Sequence, residues 1–268
     1  MNGELFMQTP PPAHKVAIVG AGPGDPELLT LKAARCIAEA EILFYDALAN
    51  PRILDLASDV CRKIEVGKRG GRISTPQLLI HEQLIRAAQQ GLRVVRLKGG
   101  DPFLFGRGGE ECLALRAANI DYEIIPGITS GMAAATYAGI PLTHRHRSQS
   151  VLFLTGHEAR GGRAPDWSRY ARAADTLVIY MGIERVQQIC AGLMAGGLAA
   201  ETPCLAVQWA TLEQKQVQAS LAKLDAAIFH AGLGSPAILI IGAVVELADL
   251  CAWLPRTEGV ARQSLQRS

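Results

Sequence analysis

The chain has 268 residues, of which 49% are hydrophobic, and its 27 Lys and Arg against 25 Asp and Glu give a formal net charge of +2. A charge so close to zero gives no general reason to expect a nucleic acid or an anionic membrane as partner, so any electrostatic argument must rest on local clusters. Aromatic residues make up only 5% of the chain, which disfavours a base-stacking surface for single-stranded nucleic acid. The length permits one large or two small domains.

The six cysteines and the N-terminal residues bear on the compartment. No two cysteines are spaced as C-x-x-C, and most stand in apolar surroundings, so we predict reduced, buried thiols and no metal site. The N-terminus lacks the basic and apolar regions of a signal peptide. No apolar stretch approaches the ~20 residues of a membrane span. We therefore expect a cytoplasmic protein.

Strands and helices alternate through the first half of the chain, which predicts a parallel α/β domain. Asp25 followed by Pro26 predicts the start of the first helix. The predicted strands cover 15–19, 41–45, 62–66, 92–97 and 122–125. The predicted helices cover 26–38, a short segment from 51, 75–90, 107–118 and 130–138.

The second half mixes strand directions more than the first, and the segment 214–219 alternates as an antiparallel strand does. The other strands are predicted at 150–155, 175–181, 203–207 and 237–241, with helices at 183–195 and 221–231 and a further segment at 244–250. The polar, basic stretch 141–149 resembles an interdomain connector. We predict domains at 15–143 and 147–255, with disordered tails at 1–14 and 256–268.

A glycine-rich loop follows the predicted strand 92–97 and leads through Gly99, Gly100 and Asp101 into a helix that begins near Arg107. Open α/β sheets bind their ligands at the carboxyl ends of strands. Glycine permits positive φ and close approach of a ligand, and the Asp101 carboxylate can accept from a hydroxyl or an amine. The alternative is a tight strand-to-helix turn with no ligand.

The glycine turn after the first strand also invites a dinucleotide-binding interpretation, with Asp46 in the position of the ribose-binding acid. Gly20 and Gly22 fit G-x-G-x-x-G, but Gly24 comes one residue early and Asp25 takes the place of the last glycine. An aspartate there would repel a pyrophosphate at the helix N-terminus. We therefore disfavour a nicotinamide or flavin enzyme.

Several long motifs, in order, resemble those of the tetrapyrrole methylase family: 16–34, 94–111, 126–135 and 139–145. The loop 103–111 most resembles the branch that methylates uroporphyrinogen III. The resemblance implies two α/β domains of the tetrapyrrole methylase type with the active site in the cleft between them, homodimers, and two methyl transfers from S-adenosylmethionine that give precorrin-2. The resemblance requires no metal. It assigns donor binding to Pro23, Gly99, Gly100, Asp101, Leu104, Thr129, Ser130, Met181, Ala210 and Ala237.

The substrate implied by the resemblance carries many carboxylates, which arginine binds with a planar pair of donors. Arg107 and the basic run 144–147, in which Arg145 matches the family motif, are the main candidates, and Lys68, Arg69 and Arg72 in a basic loop are weaker ones. Both basic segments also fit a solvated surface. Because arginine keeps its proton, we expect Arg107 to act electrostatically, with Glu110 holding its geometry. Asp46 is the other acid that we consider for proton transfer, unless it caps a turn.

Two other functions stay open at this point. One is a methylase that acts on a later corrin precursor, and the other is a non-catalytic ligand-binding protein of the same fold. The combination of Asp46, Arg107, Glu110 and Arg145 argues against a protein without catalysis, and the loop 103–111 argues against a later precursor. Sirohaem, cobalamin and haem d1 synthesis all use precorrin-2, and the sequence does not choose among them.

Overall fold

The structure is a computed structural model that describes residues 16–67, 76–157 and 165–254, so the candidates Lys68, Arg69 and Arg72 lie outside the described residues. The chain divides into two compact units between Ile128 and Thr129. This division lies earlier than the domain boundary that we predicted at 143–147. The helix that follows Thr129 packs against strands of the second unit, which explains its place there.

The first unit contains a parallel sheet with helices on both faces, as predicted. Its strands, in the spatial order β3-β2-β4-β1-β5, are β1 (Val16–Gly20), β2 (Ile42–Tyr45), β3 (Arg62–Glu65), β4 (Val94–Lys98) and β5 (Tyr122–Ile125). Its α-helices are α1 (Leu31–Ala38), α2 (Pro51–Leu54), α3 (Gln77–Gln89) and α4 (Gly108–Ala117). Buried side chains of α3 and α4 pack on one face and those of α1 and α2 on the other. The carboxyl ends of all five strands therefore form one edge.

The helix predicted over 26–38 is interrupted. Asp25 caps a short 3-10 helix, Pro26–Leu28, and its side chain accepts from the Glu27 backbone N–H. Thr30 then begins α1, because its hydroxyl accepts from the Ala33 N–H at 3.1 Å. The N-cap hydrogen bond satisfies a donor that the first turn would leave unpaired, and the α-helix begins at Leu31, five residues later than a continuous pattern suggests.

The second unit contains a mixed sheet in the order β6-β7-β10-β8-β9. Its strands are β6 (Val151–Thr155), β7 (Thr176–Tyr180), β8 (Pro203–Gln208), β9 (Lys215–Ser220) and β10 (Ala237–Ile241). β6 and β7 are parallel, and the other neighbours pair antiparallel, including β9 as the alternation predicted. The α-helices are α5 (Ser130–Tyr137), α6 (Trp167–Tyr170), α7 (Val186–Ala195) and α8 (Leu224–His230), and the segment predicted at 244–250 is a 3-10 helix, Ala243–Leu247.

Candidate active site

Three loops converge where β1, β4 and β5 end. A Cβ atom on Gly20 would lie 2.7 Å from the carbonyl oxygen of Gly100 and would clash with the backbone of Gly127. Gly22 and Gly100 exchange backbone hydrogen bonds of 2.8 and 3.2 Å. Both have positive φ, +69° and +66°, which glycine adopts without strain. Glycine therefore allows the backbones of these loops to lie in contact. This contact places Pro23 beside the predicted donor-binding loop.

Asp101 ties two of these loops together. Its Oδ1 accepts from the Phe103 N–H at 2.8 Å and its Oδ2 accepts from the Gly127 N–H at 3.2 Å. Each carboxylate oxygen has a second lone pair, so the side chain can still accept from a ligand. Leu104, half-buried in the same loop, stands between Phe103 and Phe105, which are more exposed.

Gly99 differs from the other glycines of this edge, because the fold itself does not require it. A Cβ atom there would meet Leu48 Cβ at 3.6 Å, an ordinary contact, and its φ is not positive. The fold therefore accommodates a methyl group at position 99, in contact with Leu48. Because glycine lacks that methyl group, a ligand can approach the main chain of the loop there.

Arg107 begins α4 and pairs with Glu110 one turn later. Arg107 Nε donates to Glu110 Oε1 at 2.8 Å and Nη2 donates to Oε2 at 2.6 Å. The hydrogen bond to Glu110 raises the pKa of Arg107 above its ordinary value, so this guanidinium does not serve as a base. Arg107 and Phe105 both have positive φ, 60° and 56°, and such strained backbone is concentrated at functional sites.

Asp46 follows β2 and lies against a buried group of charges that the sequence analysis missed. Arg96 donates to Asp46 Oδ1 and, at 3.0 Å, to Glu111 Oε1. Lys98 donates to the same oxygen of Glu111 at 2.9 Å and lies 4.0 Å from Asp46 Oδ2. The exposed fractions of the Arg96, Lys98 and Glu111 side chains are 2%, 3% and 0%, whereas that of Asp46 is 29%.

The pKa values of this group follow from burial and from neighbouring charge. Burial lowers the pKa of Lys98, and the positive charge of Arg96 adds to this effect. Burial also acts to lower the pKa of Arg96, but Asp46 and Glu111 more than offset it, so that its pKa is raised. The sequence carried a signal for this group, since Arg96 and Lys98 stand two residues apart in an apolar strand and so share one face.

In the second unit, three predicted donor-binding residues lie at one edge of the sheet. Met181 follows β7, Ala210 lies just beyond β8, and Ala237 begins β10, which pairs with both strands. In this register Ile238 pairs with Tyr180 and Ala237 with Gln208. Positive φ occurs here at three residues that are not glycine, namely Met181 (54°), Trp209 (50°) and Thr211 (70°). Met181 is half exposed, which disfavours a role as a core residue.

Thr129 and Ser130 begin α5, and Tyr180 connects this helix to the same sheet. The Tyr180 hydroxyl lies 2.7 Å from the Thr129 hydroxyl and accepts from the Gly131 N–H at 2.8 Å. A side chain at position 131 would clash with this phenol. The structure thus assigns Tyr180, which sequence reasoning missed, to the support of the predicted donor-binding residues.

Arg145 lies elsewhere in the second unit. It is in an exposed turn whose Ser148 hydroxyl is 2.8 Å from that of Thr176, the first residue of β7. This turn and Asp175 line a polar cavity of about 270 Å³. Met181 follows the opposite end of β7, so within this unit the structure does not bring Arg145 together with Met181, Ala210 and Ala237.

The described residues disfavour two other classes of site. The 3-10 helix after Asp25 is three residues long and its N-terminal N–H is already bound by the Asp25 carboxylate, which disfavours a pyrophosphate site. Among residues 16–67, 76–157 and 165–254, no group of three or more His, Cys, Asp or Glu side chains could hold a metal ion. Within the same ranges, every helix is too short or too polar to cross a membrane.

Comparison with known proteins agrees with this geometry. Residues 15–225 match the family model of the Tetrapyrrole (Corrin/Porphyrin) Methylases. A uroporphyrin-III C-methyltransferase of Thermus thermophilus, solved in complex with S-adenosyl homocysteine, is 40% identical with a TM-score of 0.75, and the match covers 87% of this chain and 99% of that one. The chain therefore belongs to the tetrapyrrole methylase family, and the predicted fold class is confirmed.

Two further relatives delimit the likeness. A protein named siroheme synthase from Chromobacterium violaceum is 46% identical over 250 residues, which are 93% of this chain and 53% of that protein. The chain thus spans about half the length of the curated relatives that it matches. A cobalt precorrin-4 methyltransferase shares the fold with a TM-score of 0.78 but is 26% identical, with 88% of this chain and 98% of that one covered.

Proposed function

We propose that the chain is a uroporphyrinogen-III C-methyltransferase, which uses S-adenosylmethionine to methylate uroporphyrinogen III at C2 and C7 and so gives precorrin-2. The observation that carries this proposal is the 40% identity over 99% of an enzyme of that name whose structure contains S-adenosyl homocysteine. When bound, the donor supplies a methyl group on a positively charged sulfur. The protein therefore has to align the reactants more than to create a nucleophile.

For the donor, the proposal uses two groups of residues. In the first unit these are Pro23, Gly99, Gly100, Asp101 and Leu104, and their support is the open backbone at Gly99 and the acceptor capacity of Asp101. In the second unit these are Thr129, Ser130, Met181, Ala210 and Ala237, and their support is the strained sheet edge described above.

For the acceptor, Arg107 and Arg145 bind carboxylates of the macrocycle. Arg107 is partly exposed, and its pairing with Glu110 holds the guanidinium plane in a defined orientation. A planar guanidinium forms two parallel hydrogen bonds to a carboxylate, which favours arginine over lysine at both positions.

Asp46 takes the proton in this proposal. Each transfer forms a bond from a ring carbon to the methyl group, breaks the bond from methyl to sulfur, and leaves the ring system with one proton to lose. The Asp46 carboxylate lies at the carboxyl-end edge of the first sheet, is partly exposed, and receives a hydrogen bond from Arg96. It can accept this proton without a metal ion.

The proposal extends to the setting of the enzyme. Precorrin-2 would feed sirohaem synthesis, which the names of the curated relatives support. A cytoplasmic homodimer is proposed from the family resemblance. The second candidate substrate is a later corrin precursor. Its support is the fold shared with a cobalt precorrin-4 methyltransferase at 26% identity.

One anaerobic assay separates these functions. The protein is incubated with S-adenosylmethionine and either uroporphyrinogen III or a later corrin precursor, and products are followed by absorbance and mass. We expect a product two methyl groups heavier from uroporphyrinogen III. Methylation of the later precursor alone would establish the second candidate, and donor binding without turnover of either would indicate a ligand-binding protein.

A further inference from the structure

Glu111 organises the buried charges beneath Asp46. Its Oε1 accepts from Arg96 Nε at 3.0 Å, from Lys98 Nζ at 2.9 Å and from Gln77 Nε2 at 3.2 Å. Its Oε2 is buried and has no hydrogen-bond partner among the described residues. Three donors on one oxygen hold both cations on the same side of Glu111. Arg96 also donates to the Leu97 carbonyl oxygen, at 3.0 Å, and to Asp46, which Lys98 approaches as well.

Stability alone does not explain such a group. Replacing a buried ion pair by apolar side chains of similar volume is often neutral or stabilising, because transferring charges out of water is costly. Here the three fully buried charges carry one net positive charge, and Asp46 balances it from the one position that reaches solvent. That position is at the edge where open α/β sheets bind ligands.

We propose that Arg96 and Lys98, oriented by Glu111, form a positioning group that fixes the carboxylate of Asp46 and keeps it ready to accept a proton. The proposal rests on the proposed function, in which Asp46 takes the proton released after methyl transfer. Arg96, Lys98 and Glu111 touch neither reactant in this scheme. They act through Asp46, because their charges and hydrogen bonds determine the charge around its carboxylate and its orientation.

Among the described residues, three elements bring charged or titratable groups close to Asp46 or to Glu111. β4 contributes Arg96 and Lys98, and α4 contributes Glu111 together with the pair of Arg107 and Glu110. α3 contributes His81, whose ring nitrogen lies 3.2 Å from Gln77 Nε2 and whose pKa is lowered by burial. His81 is therefore the group whose titration has to be separated from that of Asp46.

Variants that remove a negative or a positive charge should move the acidic limb of the pH profile of kcat in opposite directions. A purely structural role predicts no such difference in direction. Glu111→Gln keeps the shape but leaves two cations against one carboxylate, so the acidic limb of the pH profile of kcat should move to lower pH. Arg96→Met removes a cation and should move this limb to higher pH. Lys98→Met should act in the same direction and serves if Arg96→Met does not fold.

The experiment combines two readouts on the full chain. One is the acidic limb of the pH profile of kcat for uroporphyrinogen III, and the other is the pH titration of the ¹³C-labelled aspartate carboxyl signal that is lost in Asp46→Asn. The matched control is Glu123→Gln, which removes a β5 carboxylate that pairs with Lys32 of α1. This variant should shift neither the acidic limb nor the carboxyl titration. His81→Gln should leave the limb in place.

The two proposals fail differently. If wild-type protein binds the donor but does not methylate uroporphyrinogen III, the proposed function is wrong, and the carboxyl titration still tests the positioning group. Shifts of Glu111→Gln and Lys98→Met in the same direction, or no shift in either, would overturn the positioning group even if turnover is normal. Loss of rate together with an unmoved limb would assign these residues to folding.

Discussion

Arg107 and Glu110 form an ion pair through two hydrogen bonds, with Nε 2.8 Å from Oε1 and Nη2 2.6 Å from Oε2. The pair stands on the first turn of α4, and Arg107 has a left-handed backbone. Glu110 occupies one side of the guanidinium, and the remaining N–H groups are available for another carboxylate. Arg107 can therefore bind a substrate carboxylate while Glu110 holds the orientation of its guanidinium.

Replacing Arg107 with Met should lower kcat/KM for uroporphyrinogen III at least tenfold. The loss of a charge-assisted hydrogen bond costs about 1.5–3 kcal/mol, and each 1.4 kcal/mol is about a factor of ten. Arg107→Lys should also lower it, because the planar pair of donors is lost. Steady-state rates are measured together with the affinity for S-adenosyl homocysteine, which should stay nearly unchanged. The matched control is Arg116→Met on the same helix, and a donor affinity that falls in step with the rate would place Arg107 at the donor instead.

Replacing Gly99 with Ala should weaken donor binding at least tenfold while the protein stays folded. The fold leaves room for this methyl group, so a loss of affinity would report a ligand in that space. Gly100→Val is less informative, because positive φ at that position costs a residue with a side chain about 1–2 kcal/mol. Calorimetry of S-adenosylmethionine binding is compared with Gly109→Ala, where an added Cβ meets nothing within 4 Å. Unchanged affinity in Gly99→Ala would remove this loop from the site.

Replacing Tyr180 with Phe should destabilise the protein by about 1–3 kcal/mol, because the Gly131 N–H and the Thr129 hydroxyl lose a buried partner. The change also frees the start of α5, so the donor affinity should fall by a smaller factor than in Gly99→Ala. Urea unfolding measures the first effect and calorimetry the second. Tyr170→Phe, in α6, is the control. Unfolding at the wild-type midpoint would show that the hydroxyl contributes nothing to this helix start.

The thiols should differ widely in reactivity. Burial raises the pKa of Cys190 to about 12 and raises that of Cys204 well above its ordinary value, so neither forms an appreciable thiolate at pH 8. The sequence analysis predicted buried thiols, but Cys251 is exposed. A disulfide reagent at pH 8 should label Cys251 first, and all six thiols should react after unfolding. Rapid labelling of Cys190 in native protein would contradict the packing described here.

The sequence predicted the arrangement of the sheets well. In the part of the chain that the structure describes, nine of the ten strands were predicted to within about two residues, and the alternation at 214–219 identified the antiparallel tenth. Local chemistry sufficed for these predictions, since the periodicity of burial is written in consecutive residues. The break at Thr30 was missed, because a capping hydroxyl in the middle of a periodic apolar pattern does not interrupt that pattern.

The family could be inferred from the sequence itself, because it depends on motifs of neighbouring residues such as 94–111. The tertiary structure decided which distant residues meet. Asp46 and Arg96 are 50 positions apart and become partners because β2 and β4 are neighbours in the sheet. In the same way Tyr180, the last residue of β7, meets Thr129 at the start of α5. Burial makes these contacts consequential, since charges and hydroxyls removed from water must find partners within the fold.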